Sequence, residues 1–239
     1  MPDPYNDDVV IVSGHSVYAN GTFTFGNNHS LTIEIGALVT LGDYAQFDSG
    51  TSLDISGDLS VQTWNSFYVY GYMTIQSGGS LNVNYGYLYL EGDTKYIYGS
   101  LYVANSASAY LQYGCNLYVY GSLYLDWGGN FYLYQYAYLY LESGSTTVQG
   151  YLSLDYYSYV YAHAELQVPS GGSIWLGYST SLYVEYAGLL RVHGSVTLDY
   201  YSYSNVYGGG RVVIYADGSF YIQYYASYSV DSDGLIERY

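Results

Sequence analysis

Pairs of apolar residues set close together recur along this chain about every 22 residues, the spacing of a repeat architecture. Three interleaved series of such pairs can be followed. The first runs from Leu38/Leu41 to Val212/Ile214, the second from Phe67/Val69 to Phe220/Ile222, and the third from Val10/Val12 to Leu182/Val184. Each repeat therefore holds three short strands. No segment has the apolar spacing of about 3.6 residues that an amphipathic helix requires.

A repeat of this length, without helices and with short turns, predicts one coil of a parallel β-solenoid. We expect a single all-β domain over residues 1–239, folded as a three-faced parallel β-helix of about ten coils of about 22 residues. At ~4.8 Å per coil the rod would be about 48 Å long. Because parallel crossovers are nearly always right-handed, a right-handed coil is expected.

Tyrosine fills many of the outward positions. The chain has 40 Tyr, and in YQYAYLYLE (134–142) one stands at every second position up to Tyr140. Side chains alternate between the two sides of a strand, so inward Leu139 and Leu141 place Tyr138 and Tyr140 outward. Rings one coil apart would lie ~4.8 Å from each other and could stack. The columns predicted as an aromatic contact surface are Tyr68, Tyr89, Tyr110, Tyr132 and Trp175; Tyr118, Tyr140, Tyr161 and Tyr183; and Tyr102 and Tyr124.

The charge balance excludes some partners. The formal net charge is −16, with 4 Lys and Arg against 20 Asp and Glu, which opposes binding to nucleic acid or anionic lipid. No apolar run is long enough to span a membrane, and no export signal follows Met1. Cys115 is the single cysteine, so the chain contains no internal disulfide. Calcium or neutral sugars are chemically easier partners.

The N-terminal segment, residues 2–41, resembles the start of secreted bacterial surface proteins of the adhesin type, whose passengers are parallel β-helices. The likeness rests on a DDVVI run, an SGH turn and an L-x-I-x-x-G-A stretch. The residues that carry it are Asp7, Asp8, Val9, Val10, Ile11, Gly14, His15, Leu31, Ile33, Gly36 and Ala37. The resemblance implies an extracellular or cell-surface location and an adhesive or structural role.

Side chains suited to catalysis are sparse. Lys95, Arg191, Arg211 and Arg238 are the only permanent cations, and Asp155 and Asp199 are about 10 Å apart, beyond the usual separation of a carboxylate pair. We therefore expect no enzymatic activity and no cofactor. The four histidines have no zinc-ligand spacing.

A metal site is suggested only near the C-terminus. Asp231 and Asp233 resemble the first half of a calcium loop, but the later ligands are missing, which favours a solvated turn over a calcium site.

Two functions from different classes fit these features. The first is a self-assembling structural subunit: the last repeat, GSFYIQYYASYSV, is as apolar as the middle ones, so the solenoid ends would pair head to tail into a filament. The alternative is an adhesion or glycan-binding module, in which outward Tyr and Trp175 stack on sugar rings of a neutral glycan or a cell surface.

Overall fold

The computed structural model describes residues 8–26 and 28–239 and contains thirty β-strands and no helix in them. No helix in this part of the chain could therefore cross a membrane. The strands, in chain order, are β1 (Val9–Ile11), β2 (Ser16–Ala19), β3 (Phe23–Phe25), β4 (Ser30–Ile33), β5 (Leu38–Leu41), β6 (Ala45–Phe47), β7 (Ser52–Ile55), β8 (Asp58–Val69), β9 (Tyr72–Ile75), β10 (Ser80–Leu90), β11 (Lys95–Ile97), β12 (Ser100–Val103), β13 (Ala107–Leu111), β14 (Asn116–Val119), β15 (Ser122–Leu125), β16 (Asn130–Leu133), β17 (Tyr138–Leu141), β18 (Ser145–Val148), β19 (Tyr151–Leu154), β20 (Tyr159–Ala162), β21 (Glu165–Val168), β22 (Ser173–Leu176), β23 (Ser181–Val184), β24 (Leu189–Val192), β25 (Ser195–Leu198), β26 (Tyr203–Val206), β27 (Arg211–Ile214), β28 (Ser219–Ile222), β29 (Ser227–Val230) and β30 (Leu235–Arg238).

The strands pair in parallel, each with the equivalent strand of the coil before and after it, in three ladders. Ladder A contains β1, β4, β7, β9, β11, β14, β17, β20, β23, β26 and β29. Ladder B contains β2, β5, β12, β15, β18, β21, β24, β27 and β30, with the first halves of β8 and β10 between β5 and β12. Ladder C contains β3, β6, the second halves of β8 and β10, β13, β16, β19, β22, β25 and β28.

This pairing confirms the parallel β-solenoid of about ten coils, each about 22 residues long. The partner of Leu117 is Leu139, and the partner of Leu139 is Val160. Handedness and the three-faced cross-section stay predictions.

The core is a stack of inward apolar side chains along the axis. Within a strand buried and half-exposed residues alternate, as in Asn116–Val119, where Leu117 and Val119 are fully buried. Every such side chain packs against its equivalents one coil away, so the core is continuous from Phe25 to Ile214. Full burial of one of these side chains stabilises the fold by roughly 1.5–3 kcal/mol.

Two of the predicted pairs at the N-terminal end were wrong in register. In β5 the inward residues are Val39 and Leu41, while Leu38 is 40% exposed. In β1 they are Val9 and Ile11, which pair with Leu31 and Ile33, whereas Val10 is 52% exposed. A run of consecutive apolar residues does not reveal which alternate set faces inward, and only pairing with the next coil decides it.

The second series also extends further than predicted. It begins at β3 and β6, two coils before Phe67. Phe25 and Phe47 stack there with centroids 4.8 Å apart, and Phe47 makes an edge contact with Phe67. The N-terminal core is therefore aromatic, while the later core is mostly aliphatic.

Candidate functional surface

The longest outward column of rings lies on ladder A. We call column A the five tyrosines at the outward middle position of successive strands: Tyr96, Tyr118, Tyr140, Tyr161 and Tyr183. Adjacent rings are nearly parallel, with centroids 5.5, 4.5, 5.0 and 4.9 Å apart in that order. Offset stacking at these distances adds about 0.5–1.5 kcal/mol per pair beyond burial. Tyr96 was not predicted as a member of this column, because the inward residues of its strand β11 are Lys95 and Ile97 and not a pair of apolar residues.

Shorter columns run along the other two ladders. Column C consists of Tyr68, Tyr89, Tyr110 and Tyr132, whose rings stack at 4.5, 4.8 and 5.1 Å. Column B is the pair Tyr102 and Tyr124, stacked at 5.5 Å. Column C is interrupted at Ser153, a buried residue in the next coil.

The rings of all three columns are half-buried, since each covers the face of its neighbour. Burial raises the pKa of Tyr89 and of Tyr161 to about 12. The pKa of Tyr102 is also raised to about 12, chiefly because its hydroxyl donates a hydrogen bond to Asp126 Oδ2 at 2.7 Å. The role of these columns as a contact surface stays a prediction.

Trp175 occupies the position of column C in its own coil, but the residues paired with it carry no ring to stack on. Its outward position pairs with Ser153 and Thr197. The indole lies over Gly177, where an added Cβ would come within 2.3 Å of the ring. The ring is half-buried in this position, which leaves less of it free for a ligand than the prediction of a sugar platform assumed.

The most exposed tyrosines lie in turns. Four-residue turns join ladder C to ladder A in six successive coils, at residues 112–115, 134–137, 155–158, 177–180, 199–202 and 223–226. We call their nine exposed tyrosines the corner column: Tyr113, Tyr136, Tyr156, Tyr157, Tyr178, Tyr200, Tyr201, Tyr224 and Tyr225. Their exposed fractions run from 38% to 79%. The repeated YY doublets were the available signal, but columns were predicted only for tyrosines at strand positions.

The acidic side chains of Asp155 and Asp199 accept backbone hydrogen bonds in two of these turns. Asp155 Oδ1 accepts hydrogen bonds from the backbone N–H groups of Tyr156 at 2.9 Å and Tyr178 at 3.1 Å. Asp199 Oδ1 accepts one from Tyr200 at 2.9 Å. Both carboxylates therefore accept hydrogen bonds from the backbone of the turns.

Lys95 is a fully buried cation at an inward position of ladder A. Its burial was not predicted from the sequence. Its Nζ donates to three backbone carbonyls, Gly71 O at 2.6 Å, Glu91 O at 2.8 Å and Asp93 O at 2.6 Å. Burial lowers the pKa of Lys95 to about 8, and burial raises the pKa of the adjacent Cys115 thiol to about 11. The ammonium group thus occupies a core position and donates hydrogen bonds to three backbone carbonyls.

Arg191 and Arg211 form pairs along the outside of the rod. Arg191 Nε donates to Glu165 Oε1 at 2.7 Å, and Arg191 Nη1 donates to Tyr215 Oη at 2.7 Å. Arg211 in β27 pairs with Glu237 in β30, the adjacent strand of the same ladder. These contacts link neighbouring coils.

Asp231 and Asp233 lie in the turn between β29 and β30, where Asp233 Oδ1 accepts the Gly208 N–H at 3.2 Å. In the part of the chain that the structure describes, no three His, Cys, Asp or Glu side chains come together as a metal site. Calcium binding by Asp231 and Asp233 stays a prediction.

The end of the rod formed by β28, β29 and β30 leaves inward apolar side chains uncovered. Ile222 is 43% exposed and Val230 is 40% exposed, whereas their equivalents one coil earlier, Leu198 and Val206, are 0% and 2% exposed. With Phe220 and Ile236 they line an open depression of about 570 Å³. At the opposite end, Val9, Val17 and Phe23 line a second apolar depression, of about 350 Å³.

Comparison with known proteins gives little further help. No family model and no curated protein matches the chain. A solved structure that it resembles is the crystal structure of a TibC-catalyzed hyper-glycosylated fragment of TibA. The two chains are 15% identical, the alignment covers 96% of this chain and 94% of the other, and the TM-score is 0.26. Likeness at this level supports no conclusion about function.

Proposed function

We propose that the protein is a non-enzymatic structural subunit of an extracellular fibre or surface layer, in which solenoids stack end to end. The observation that carries the proposal is the exposure of Ile222 and Val230, which occupy core positions and yet face solvent. Covering such side chains with apolar surface contributes about 25 cal/mol per Å².

The occupant that fits this end is a second copy of the chain. Strands β29 and β30 pair on one side only, and so do β1 and β2 among the described residues. Joining β29 to β1 and β30 to β2 of the next copy would continue ladders A and B with parallel strands of similar length. Because the two joined surfaces lie at opposite ends of the ladders, the contact repeats along the axis and generates an open filament.

The test compares an end variant carrying Ile222→Asp and Val230→Asp with the wild-type chain. Electron microscopy and sedimentation of concentrated protein should reveal filaments for the wild type and single particles of about 27 kDa for the end variant, since buried aspartates at the joint oppose stacking.

The matched control places two aspartates on the side of the rod, with Ile35→Asp and Leu38→Asp, which replace side chains that are 73% and 40% exposed. This control should assemble as the wild type does. A monodisperse wild-type particle at high concentration, or filaments of unchanged length from the end variant, would overturn the proposal.

Binding of a neutral glycan or a cell surface is a second proposal, supported by a different residue from the one expected. Trp127 is 50% exposed and, with Asn105 and Gln149, lines a shallow depression of about 390 Å³. An exposed ring beside amide groups suits stacking and hydrogen bonding to a sugar. Glycan-array binding should be lost in Trp127→Ala and kept in Trp175→Ala; absence of binding by the wild type removes this candidate.

A further inference from the structure

The corner column forms a continuous line of phenols along one edge of the rod. Ring contacts run through five successive coils, from Tyr136 to Tyr157, Tyr178, Tyr201 and Tyr225, with centroids 5.3, 5.9, 6.1 and 5.3 Å apart. These tyrosines are exposed to solvent, unlike the half-buried tyrosines of columns A, B and C.

The backbone at this corner is unfavourable for tyrosine. Eight of the nine residues, all but Tyr178, have φ between +25° and +65°. This left-handed region costs a residue with a side chain roughly 1–2 kcal/mol, while glycine adopts it freely. Within these turns glycine takes a left-handed conformation only at Gly114, although it is the less strained choice. Rings held repeatedly against such strain point to a use for the phenols themselves.

Other means of covalent joining are absent from the surface. The only lysine, Lys95, and the only cysteine, Cys115, are both fully buried. Neither an isopeptide bond through a lysine nor a disulfide is therefore open to the folded rod. Exposed tyrosine is the side chain that remains.

We propose that the corner column is a site of oxidative phenol coupling between copies of this chain, producing dityrosine cross-links between adjacent rods. The inference rests on the structural role proposed above, because it supplies lateral bonds to a fibre or layer. The oxidant is hydrogen peroxide acting through a haem peroxidase. Each of two phenols loses one electron and one proton to give a tyrosyl radical.

The two radicals then join through a carbon–carbon bond between ring positions ortho to the hydroxyls. Each of these carbons loses its proton as its phenol oxygen regains one, which restores both aromatic rings. Overall two tyrosines lose two hydrogen atoms, and one molecule of hydrogen peroxide is reduced to two molecules of water.

The experiment treats the protein with hydrogen peroxide and horseradish peroxidase, and measures dityrosine fluorescence and covalent dimers on a denaturing gel. A corner variant replaces all nine tyrosines of the corner column with Phe. The matched control replaces the nine tyrosines of columns A and C with Phe, which removes the same number of hydroxyls. The corner variant should lose most of the covalent dimer, and the control should keep it.

Two measures keep the result independent of folding and of stacking. All proteins carry Ile222→Asp and Val230→Asp, so coupling is scored whether or not the ends associate. Mass spectrometry of the cross-linked peptides from the chain with intact tyrosines should place the coupled residues in the corner turns. Equal dimer yield from both nine-residue variants, or cross-links mapped mainly to columns A and C, would overturn the proposal.

Discussion

Lys95 is a charged residue in a mostly apolar column. Its neighbours above and below in ladder A are Met73 and Leu117. Holding the ammonium form there, with pKa lowered from 10.5 to about 8, reduces stability at neutral pH by about 3 kcal/mol relative to an exposed lysine. The three carbonyls that accept its hydrogen bonds offset part of that desolvation.

This shift gives a pH dependence with a definite sign. Between pH 8 and 10.5 the unfolded chain binds more protons at Lys95 than the folded chain does, so the contribution of Lys95 to the free energy of unfolding rises with pH. Relative to Lys95→Met, the expected gain from about pH 8 to about pH 10 is roughly 2 kcal/mol, and urea denaturation of both proteins measures it. The raised pKa values of tyrosines such as Tyr89 and Tyr161 lower stability near pH 10 in both proteins and cancel in this difference.

The neighbouring thiol needs a control in that experiment. The raised pKa of Cys115 acts in the opposite direction, because the folded chain keeps the thiol proton between pH 9.0 and about 11. Both proteins should therefore carry Cys115→Ala. Asp93 and Glu91 are the acidic groups that act on both. An equal pH dependence of the free energy of unfolding in the two proteins would show that Lys95 contributes nothing to it.

The repeat architecture could be predicted from the sequence more completely than the direction in which each single side chain faces. Alternation placed Leu139 inward and Tyr140 outward correctly, because the period of two is unambiguous there. It could not place Lys95, whose burial depends on carbonyls of turns 24 and 4 residues away. Nor could it find the corner tyrosines, since a positive φ at tyrosine contradicts the ordinary preference of the residue.

Among the structural elements, the corners between strands fix how closely the coils stack. Gly121, between β14 and β15, donates its N–H to Ile97 O at 2.9 Å in the coil before. A Cβ at this position would lie 2.0 Å from Gly99 O and 2.4 Å from Tyr98 O. Both contacts are with backbone, which cannot move without displacing the previous coil.

Gly121→Ala should therefore destabilise the rod by about 3 kcal/mol, near the upper end for overpacking. Gly114→Ala is the control: it has φ +74° but open space around the added methyl, and should cost about 1 kcal/mol. Denaturant midpoints of the two variants compare the effects. Equal loss in both would mean that backbone conformation, and not contact between coils, limits these corners.

Strand positions were predictable from the sequence where a coil repeats its neighbours, and not at the N-terminal end. β17 was found because Leu139 and Leu141 repeat the pattern of Leu117 and Val119. β1 was misaligned because Val9, Val10, Ile11 and Val12 are all apolar and the first coil has one neighbour only.

For the whole molecule, the dominant long-range force is repulsion. A net charge of −16 on one rod opposes its approach to a second copy with the same charge. The apolar end and the exposed corner must act against this field. Screening shortens its range from about 10 Å at 0.1 M salt to about 3 Å at 1 M.

Assembly should consequently increase with salt. Light scattering of the wild-type protein is expected to rise as sodium chloride is added, while the end variant with Ile222→Asp and Val230→Asp stays unchanged. Filaments that instead dissolve as salt increases would indicate that ion pairs, and not apolar surface, hold the copies together.

Each coil contacts only the coil before and the coil after it, and this has a consequence for inheritance. Duplication or deletion of a DNA segment encoding about 22 residues would change the length of the rod by about 4.8 Å and leave most aliphatic core side chains with partners of the same kind. Length is thus the property of this molecule that evolution can alter most freely, one turn of the coil at a time.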